Sequence, residues 1–335
     1  MLTPSKLRRS NLVVACALDL TRLHALRIRP MKRTSIGSWA YTIGPYEKNP
    51  VDFETVCIRL KELGFDGVEL GGFPPHPNPD DLCEKSQRDE LVGKMSDWGL
   101  SFSGLAANLW GEKLINTDDQ SHYVEEFTKN AKFCQDLGIG GIRVDTVQPP
   151  TVFDDVDRDT AFQRVSTTWR TCSDVAADHG LYVCWEFEPG FAFNKPSDVV
   201  QMLEAVNKDN FGVLYDTSHG HMCGVIGSRQ PGEKETLEGG QVEFVQMLDG
   251  KINHIHLIDS DNSCHKDKDG NDETSMHLPF GEGVVDFDPI IAELRKQKLS
   301  HDWWTVDLCF WPEAWDATEV CARFMQQQNA AGNLG

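Results

Sequence analysis

The sequence lacks several features that would assign it to other classes of protein. No stretch approaches the roughly 18 to 20 consecutive apolar residues that a membrane-spanning helix needs. Basic residues are scarce, with 32 Lys and Arg against 52 Asp and Glu and a formal net charge of −20. The main body also contains no cluster of basic residues. We therefore expect neither nucleic acid nor a membrane among the partners of this chain.

Paired cysteine motifs are also missing. The ten cysteines are scattered singly, without a Cys-x-x-Cys pair or zinc-finger spacing. Cys184 and Cys309 lie within apolar runs, which is typical of buried, reduced thiols. This usage suits a reducing compartment and predicts a cytoplasmic protein.

Residues 1–34 differ in composition from the rest of the chain. They contain a single acid, Asp19, and several basic residues: Lys6, Arg8, Arg9, Arg22, Arg27, Arg29, Lys32 and Arg33. An Arg-rich, acid-poor leader is typical of a mitochondrial transit peptide, which would give a mitochondrial protein. Alternatively, translation starts at Met31 and the segment is an extension of the gene model. Both interpretations place residues 1–34 outside the fold and the folded domain at 35–330.

From Ser35 onward, short apolar runs alternate with helical patterns. The predicted strands cover 35–41, 65–70, 100–107, 141–145, 181–189, 211–216, 252–258 and 303–308. Eight strand–helix units with short connections predict an α/β protein that forms a single (β/α)8 TIM barrel. The longest irregular segment, 259–283, has a length that is typical of functional or disordered loops.

Polar residues cluster at the C-terminal ends of the predicted strands, where barrels of this kind build their active sites. These residues are Glu69, Asn108, Asp145, Glu186, Glu188, Asp216, His256 and Asp307. Any one acid there could cap a helix or form an ion pair. Together, the carboxylates of Glu188, Asp216 and Asp307 and the imidazole of His256 suit Mn²⁺, Mg²⁺ or Co²⁺. The pattern therefore predicts one divalent-metal site.

Five motifs resemble the xylose isomerase-like TIM barrel superfamily of sugar isomerases, sugar epimerases and inosose dehydratases. They are Phe-Asp-Gly-Val-Glu-Leu at 65–70, Glu-Phe-Glu-Pro at 186–189, Leu-Tyr-Asp-Thr-Ser-His at 214–219, His-Ile-His-Leu-Ile-Asp at 254–259 and Pro-Phe-Gly-Glu-Gly-Val-Val-Asp at 279–286. The resemblance covers Ser35 to about Gln328. Taken in this order, the motifs are specific to the superfamily but not to a substrate.

The resemblance implies roles for particular residues. The superfamily's metal ligands fall on Glu188, Asp216, His256 and Asp307, and its strand-six histidine falls on His219. Glu188, Asp307 and His219 are then the candidate catalytic residues. Asp307 stands where the epimerases have glutamate, so its carboxylate still reaches a metal but lies farther from a substrate carbon. Glu186 is an additional acid that either compensates for this or pairs with Arg143.

The resemblance also implies a reaction. It is the metal-dependent isomerisation or epimerisation of a ketose, inosose or keto-sugar, by proton abstraction α to a carbonyl through an enediolate. Mn²⁺ is expected ahead of Mg²⁺ or Co²⁺. If Asp307 is too short to return the proton, β-elimination by a dehydratase or lyase becomes the alternative. Members of the superfamily often form dimers or tetramers, so a homo-oligomer is compatible with the resemblance.

A small-molecule sugar is the expected partner. Trp39 and Trp311 are the preferred aromatic members of its pocket, because aromatic faces pack against sugar C–H groups. Glu69 and Glu186 at strand ends are further candidates for substrate binding. His277 and Glu282, in the long loop, are either hydroxyl-binding residues or solvated ones.

Two other functions compete with this prediction. Apurinic endonucleases share the superfamily, but they have a basic DNA-facing surface that a chain of net charge −20 does not suggest. A sugar-binding barrel without catalytic activity is the other alternative, and Asp307 is the one feature in its favour.

Overall fold

The structure, a computed structural model, describes residues 31–332. Eight parallel strands close a barrel: β1 (Arg33–Gly37), β2 (Gly67–Leu70), β3 (Ser101–Ala106), β4 (Gly141–Val144), β5 (Tyr182–Glu186), β6 (Phe211–Asp216), β7 (Ile252–Leu257) and β10 (Trp303–Val306). Between β7 and β10, the strands β8 (Cys264–Lys266) and β9 (Asp272–Ser275) form a separate two-stranded sheet. Around the barrel the eight strands follow the order of the sequence, and β10 pairs with β1 to close it. The predicted (β/α)8 barrel is confirmed.

Nine α-helices lie between and after the strands within residues 31–332. They are α1 (Phe53–Glu62), α2 (Lys85–Trp98), α3 (Ser121–Leu137), α4 (Arg158–Asp178), α5 (Pro196–Val206), α6 (Thr217–His221), α7 (Gly240–Met247), α8 (Phe287–Leu294) and α9 (Ala314–Gly332). The side chain of Asp52 caps α1, and that of Asp157 caps α4. Both α2 and α3 end at a glycine with φ of 70°, Gly99 and Gly138. No helix of this part of the chain is long and apolar enough to span a membrane.

Side-chain alternation along the strands separates two environments. On β5, Val183 and Trp185 are buried, and Trp185 lies 5.2 Å from the ring of Trp169 on α4. The next residue, Glu186, is equally buried but belongs to a group of polar side chains from β5, β6 and β7. The outer face of the sheet therefore packs against helices, and the inner face places polar groups inside the barrel.

Several boundaries in the structure differ from the predicted ones, and β5 in particular ends at Glu186 instead of at residue 189. Strand β1 begins at Arg33, so the fold starts before the predicted boundary at residue 35. The stretch 220–240 contains the end of α6 and a π-helical turn at Met222–Ile226. The irregular segment 259–283 contains a hairpin of β8 (Cys264–Lys266) and β9 (Asp272–Ser275). The transit-peptide hypothesis concerns residues 1–34, of which residues 1–30 lie outside the described range.

Candidate metal centre and active site

Four side chains converge at the C-terminal end of the barrel. Glu186 ends β5, Asp216 ends β6, His256 lies on β7, and Asp307 follows β10. Each offers one ligand-type atom, and the four atoms lie within 4.8 Å of one another. All four residues are buried, each with at most 3% of its surface exposed. We call these residues the four-residue group.

Three inward-facing atoms of the four-residue group have no hydrogen-bond partner. They are Oε1 of Glu186, Oδ2 of Asp216 and Nδ1 of His256. Nδ1 of His256 lies 3.2 Å from Glu186 Oε1 and 3.5 Å from Asp307 Oδ2. Buried polar atoms without partners are costly and rare. Three carboxylates and one imidazole form a donor set that suits a divalent cation, so the residues present fit a metal ion.

The protein fixes one oxygen of each carboxylate and leaves the other facing inward. Asp307 Oδ1 accepts hydrogen bonds from Trp39 Nε1 (2.7 Å) and from the backbone N–H of Cys309 (3.1 Å). Asp216 Oδ1 caps α6 and accepts from the backbone N–H groups of residues 218 (2.7 Å) and 219 (2.9 Å). Glu186 Oε2 lies 2.7 Å from Nη1 of Arg143. The orientation of the carboxylates is therefore set before any ligand binds.

The surroundings shift the pKa values of the three carboxyl groups in the four-residue group in different directions. Burial would raise the pKa of Glu186, but Arg143 and His256 outweigh it and lower that pKa to about 2. Burial raises the pKa of Asp216 to about 7, and Asp307 also contributes to this shift. Burial opposes ionisation of Asp307, yet His277 and His256 hold its pKa well below the usual range. A cation among these oxygens would favour the ionised form of all three.

Glu188, the predicted ligand and acid–base residue, lies outside the four-residue group. Its Oε2 accepts a hydrogen bond from the hydroxyl group of Thr274 on β9 and lies 3.8 Å from Nε2 of His219. Burial, together with the charge of Glu186, raises the pKa of Glu188 well above its usual range. The carboxyl group therefore tends to keep its proton beside the four-residue group.

Two histidines border the same space. Nδ1 of His219 lies 2.8 Å from the Ser275 hydroxyl, and burial and His277 lower the pKa of His219 to about 3. His277 Nε2 lies 3.9 Å from Asp216 Oδ1, and its Nδ1 lies 3.6 Å from Asp307 Oδ2. Burial opposes the charged form of His277, but Asp307 and Asp216 raise its pKa to about 9. The two pKa values are thus shifted in opposite directions, that of His219 toward the neutral form and that of His277 toward the charged form.

A cavity of about 880 Å³ opens above these residues. Aromatic side chains form much of its wall: Trp39, Phe73, Trp110, Phe191 and Phe310. Its polar lining includes Arg143, Arg229 and the acids Glu186, Glu188, Asp267, Asp272, Glu273 and Asp307. The cavity is concave, aromatic and rich in acids, which suits a polar organic molecule bound next to a cation.

The predicted site residues divide between this cavity and other places. Trp39, Glu186, Glu188, His219, His277 and Asp307 line the cavity. Trp311 instead packs, partly buried, against the hydrophobic core. Glu282 is exposed on the loop before α8. Glu69 is buried in the barrel interior, where it contacts His254 and His256.

Sequence reasoning missed the contribution of the hairpin. Thr274 and Ser275 of β9 contact Glu188 and His219, although neither residue belongs to a motif that would single it out. The only signal was the unusual length of the segment 259–283. That length indicated a functional loop but not which of its residues reach the site.

Comparison with known proteins adds a second line of argument. A family model described as xylose isomerase-like TIM barrel matches residues 57–322. The chain belongs to this xylose isomerase-like family. Inosose dehydratase from Klebsiella pneumoniae subsp. pneumoniae is 23% identical over 263 residues, which cover 72% of this chain and 78% of that protein.

Solved structures show the same fold as this xylose isomerase-like chain. A D-tagatose 3-epimerase-like protein superimposes with a TM-score of 0.66 at 15% identity, covering 90% of this chain and 99% of that one. The IolI protein, described with a binding zinc atom, superimposes with a TM-score of 0.65 at 18% identity, covering 90% and 98%. At this level of identity the likeness concerns the fold.

Proposed function

We propose that this protein is a metal-dependent sugar isomerase or epimerase. It would remove a proton from the carbon next to the carbonyl group of a ketose, inosose or other keto-sugar. The proposal depends above all on the inward-facing atoms of Glu186, Asp216 and His256, which lack protein partners beside a large cavity. The family and its sugar-modifying relatives support the same class of substrate.

The four-residue group would hold the cation. Glu186 replaces Glu188 as the ligand from β5, because Glu186 shares the 4.8 Å group with Asp216, His256 and Asp307. Mn²⁺, Mg²⁺ and Co²⁺ suit the oxygen-rich donor set, and the zinc atom of IolI adds Zn²⁺ to the candidates. When bound, the cation would stabilise negative charge that develops on the oxygens of the substrate.

The side chains beside the group supply the proton chemistry. Glu188, whose pKa is raised by burial, is the candidate proton donor. His219 is neutral, and its Nε2 lies 3.9 Å from Glu186 and 3.8 Å from Glu188, so it is the candidate acceptor. One group that gives a proton and one that takes it can transfer a proton between two positions of one substrate. Asp307 is then primarily a ligand, held by Trp39.

A dehydratase is the second candidate function. The protonated carboxyl group of Glu188 could deliver its proton to a leaving hydroxyl group, which would convert proton abstraction into elimination of water. The inosose dehydratase relatives support this alternative. The acidic lining of the cavity, by contrast, argues against an endonuclease, because it would repel a polyanion.

The test combines metal analysis with proton-exchange NMR. Protein stripped of metal and reloaded with Mn²⁺, Mg²⁺, Co²⁺ or Zn²⁺ is incubated in D₂O with ketoses, inososes and 3-keto-glycosides. The proposal expects deuterium at a single carbon and a product of unchanged composition. A product that has lost one water would favour the dehydratase. If the protein binds metal but no substrate exchanges or changes, the enzymatic proposal fails and a sugar-binding barrel becomes the better interpretation.

A further inference from the structure

A second cluster of polar side chains lies inside the barrel, next to the four-residue group. It consists of Glu69 on β2, His254 and His256 on β7, and Thr305 on β10. Each of these side chains is at most 1% exposed. Glu69 was expected to bind substrate, but in the structure its carboxylate contacts these residues. We call this set the Glu69 cluster.

The carboxylate of Glu69 contacts three donor-type groups. Its Oε2 lies 2.8 Å from His254 Nε2 and 2.9 Å from the Thr305 hydroxyl. Both of its oxygens lie 3.2 Å from His256 Nε2. The neighbouring strand β3 leaves room for this arrangement, because a Cβ at Gly104 would approach Glu69 Cδ to 3.1 Å. The carboxylate is therefore closely confined.

These contacts decide which nitrogen of each ring carries hydrogen. An ionised carboxylate can only accept hydrogen bonds, so its histidine partners must donate from Nε2. The hydroxyl of Tyr182 lies 3.1 Å from Nδ1 of His254 and can donate to that atom. In His256, the contact with Glu69 keeps a hydrogen on Nε2, so Nδ1 is the nitrogen whose lone pair can bind a cation. Nδ1 faces Glu186 Oε1 and Asp307 Oδ2, the oxygens that would bind the same cation.

We infer that Glu69 is a positioning residue that fixes His256 in the tautomer whose Nδ1 binds the metal. His254 and Thr305 in turn hold Glu69 in place. Carboxylates that accept the second N–H of a metal-binding imidazole orient the ring and make it a better ligand. The inference rests on the metal centre proposed above. It changes the role of Glu69 from contact with the sugar to control of metal affinity.

The first test measures metal affinity directly. Zn²⁺ and Mn²⁺ dissociation constants are determined by competition with a chelator for the wild-type protein, Glu69→Gln and Thr305→Val. Glu69→Gln should weaken metal binding by about 10- to 100-fold, because its amide can donate to His256 and thereby favours the wrong tautomer. Thr305→Val removes the hydroxyl contacts with Glu69 and Ser35 but leaves both imidazole contacts of Glu69, so it should weaken metal binding much less than Glu69→Gln does.

The second test reads the tautomer itself. In ¹⁵N-labelled wild-type protein loaded with Zn²⁺, the NMR signals of His256 should show hydrogen on Nε2 and none on Nδ1. A hydrogen on Nδ1 would overturn the inference. So would a folded Glu69→Gln variant that binds metal as tightly as the wild type. If Glu69→Gln does not fold, the wild-type spectrum still decides.

The result also separates this inference from the proposed function. A wild-type protein that binds none of the four cations would remove the metal centre, and the proposed function and the inference would fall together. A wild-type protein that binds metal and exchanges substrate protons would uphold the function. In that case an unchanged metal affinity in Glu69→Gln would refute the positioning role alone.

Discussion

Nδ1 of His256 lies 3.2 Å from Oε1 of Glu186, and neither atom has a hydrogen-bond partner. The two residues belong to β7 and β5, which are separated in the barrel by β6. Closure of the barrel therefore brings together an imidazole nitrogen and a carboxylate oxygen that the protein itself does not satisfy. A cation between them would remove the cost of leaving both atoms buried without partners.

The two glutamates of β5 and its following loop should differ in function. Glu186→Gln should lose most of the bound metal, because it removes a charged ligand from the four-residue group. Glu188→Gln should keep its metal yet lower the rate of substrate exchange by about 100-fold or more, the usual contribution of a general acid or base. Metal content by mass spectrometry and exchange rates by NMR measure the two effects separately.

The opposite outcome is equally informative. If Glu188→Gln loses the metal while Glu186→Gln retains it, the ligand is Glu188, as the resemblance implied. Unfolding temperatures of the metal-free variants serve as the control, since both replacements preserve the shape of the side chain. A large fall in either temperature would indicate a structural effect instead.

The ambiguity between these glutamates shows what the sequence can and cannot predict. The alternation of eight strands and helices predicted the barrel, and strand ends predicted that Asp216, His256 and Asp307 would lie close together. Side-chain alternation along a strand places Glu186 and Glu188 on the same face, but it does not indicate their depth, that is, how far along the barrel axis each carboxylate lies. The depth depends on where β5 ends, which is at Glu186 in the structure.

Contacts between distant segments were beyond sequence reasoning for a similar reason. The register of a closed barrel determines that Glu69 reaches His254 and His256, which lie 185 and 187 residues away in the chain. The fold of the segment 259–283 determines that Thr274 reaches Glu188. Neither the register nor this fold follows from local hydrophobic patterns.

The hairpin provides a prediction of its own. Thr274→Val should lower the rate of substrate exchange by about tenfold, equivalent to a loss of roughly 1.4 kcal/mol in positioning Glu188. Metal affinity should stay unchanged, because Thr274 contacts Glu188 and not the four-residue group. Ser263→Ala is a suitable control, since its hydroxyl bonds only to the exposed Asp261. A fall in metal affinity with Thr274→Val would contradict the division of roles.

Asp259 should hold the segment that carries His277. Its carboxylate accepts backbone hydrogen bonds from residues 260, 281, 283 and 285, at 2.9 to 3.1 Å. Asp259→Ala should cost at least about 1.5 to 3 kcal/mol, the range for one hydrogen bond to a charged group. Hydrogen exchange should rise across 276–286, and catalysis should fall as His277 is displaced. Asp261→Ala, an exposed neighbour, should leave both unchanged, and an unaffected Asp259→Ala would refute this role.

A half-buried histidine just before β10, at the end of the barrel opposite the four-residue group, should make folding pH-dependent. Burial and the neighbouring His254 lower the pKa of His301 to about 3 from an ordinary value of 6.5. Its Nδ1 accepts a hydrogen bond from the backbone N–H of Trp303 (3.0 Å), which requires that this atom carry no hydrogen. Between the two pKa values the unfolded chain binds more protons than the folded one, so stability is lost as the pH falls below about 6.5.

The expected loss is about 1.4 kcal/mol per pH unit, or roughly 2 kcal/mol between pH 6.5 and pH 5. Urea unfolding of the metal-free protein measures it, and His301→Gln should be correspondingly less sensitive over this interval than the wild type. Other groups titrate in the same range, so the difference between the two proteins is the quantity that tests the prediction. His122→Gln, at an exposed position, should not reduce the pH dependence. Equal slopes for the wild type and His301→Gln would mean that His301 can accept a proton within the folded barrel.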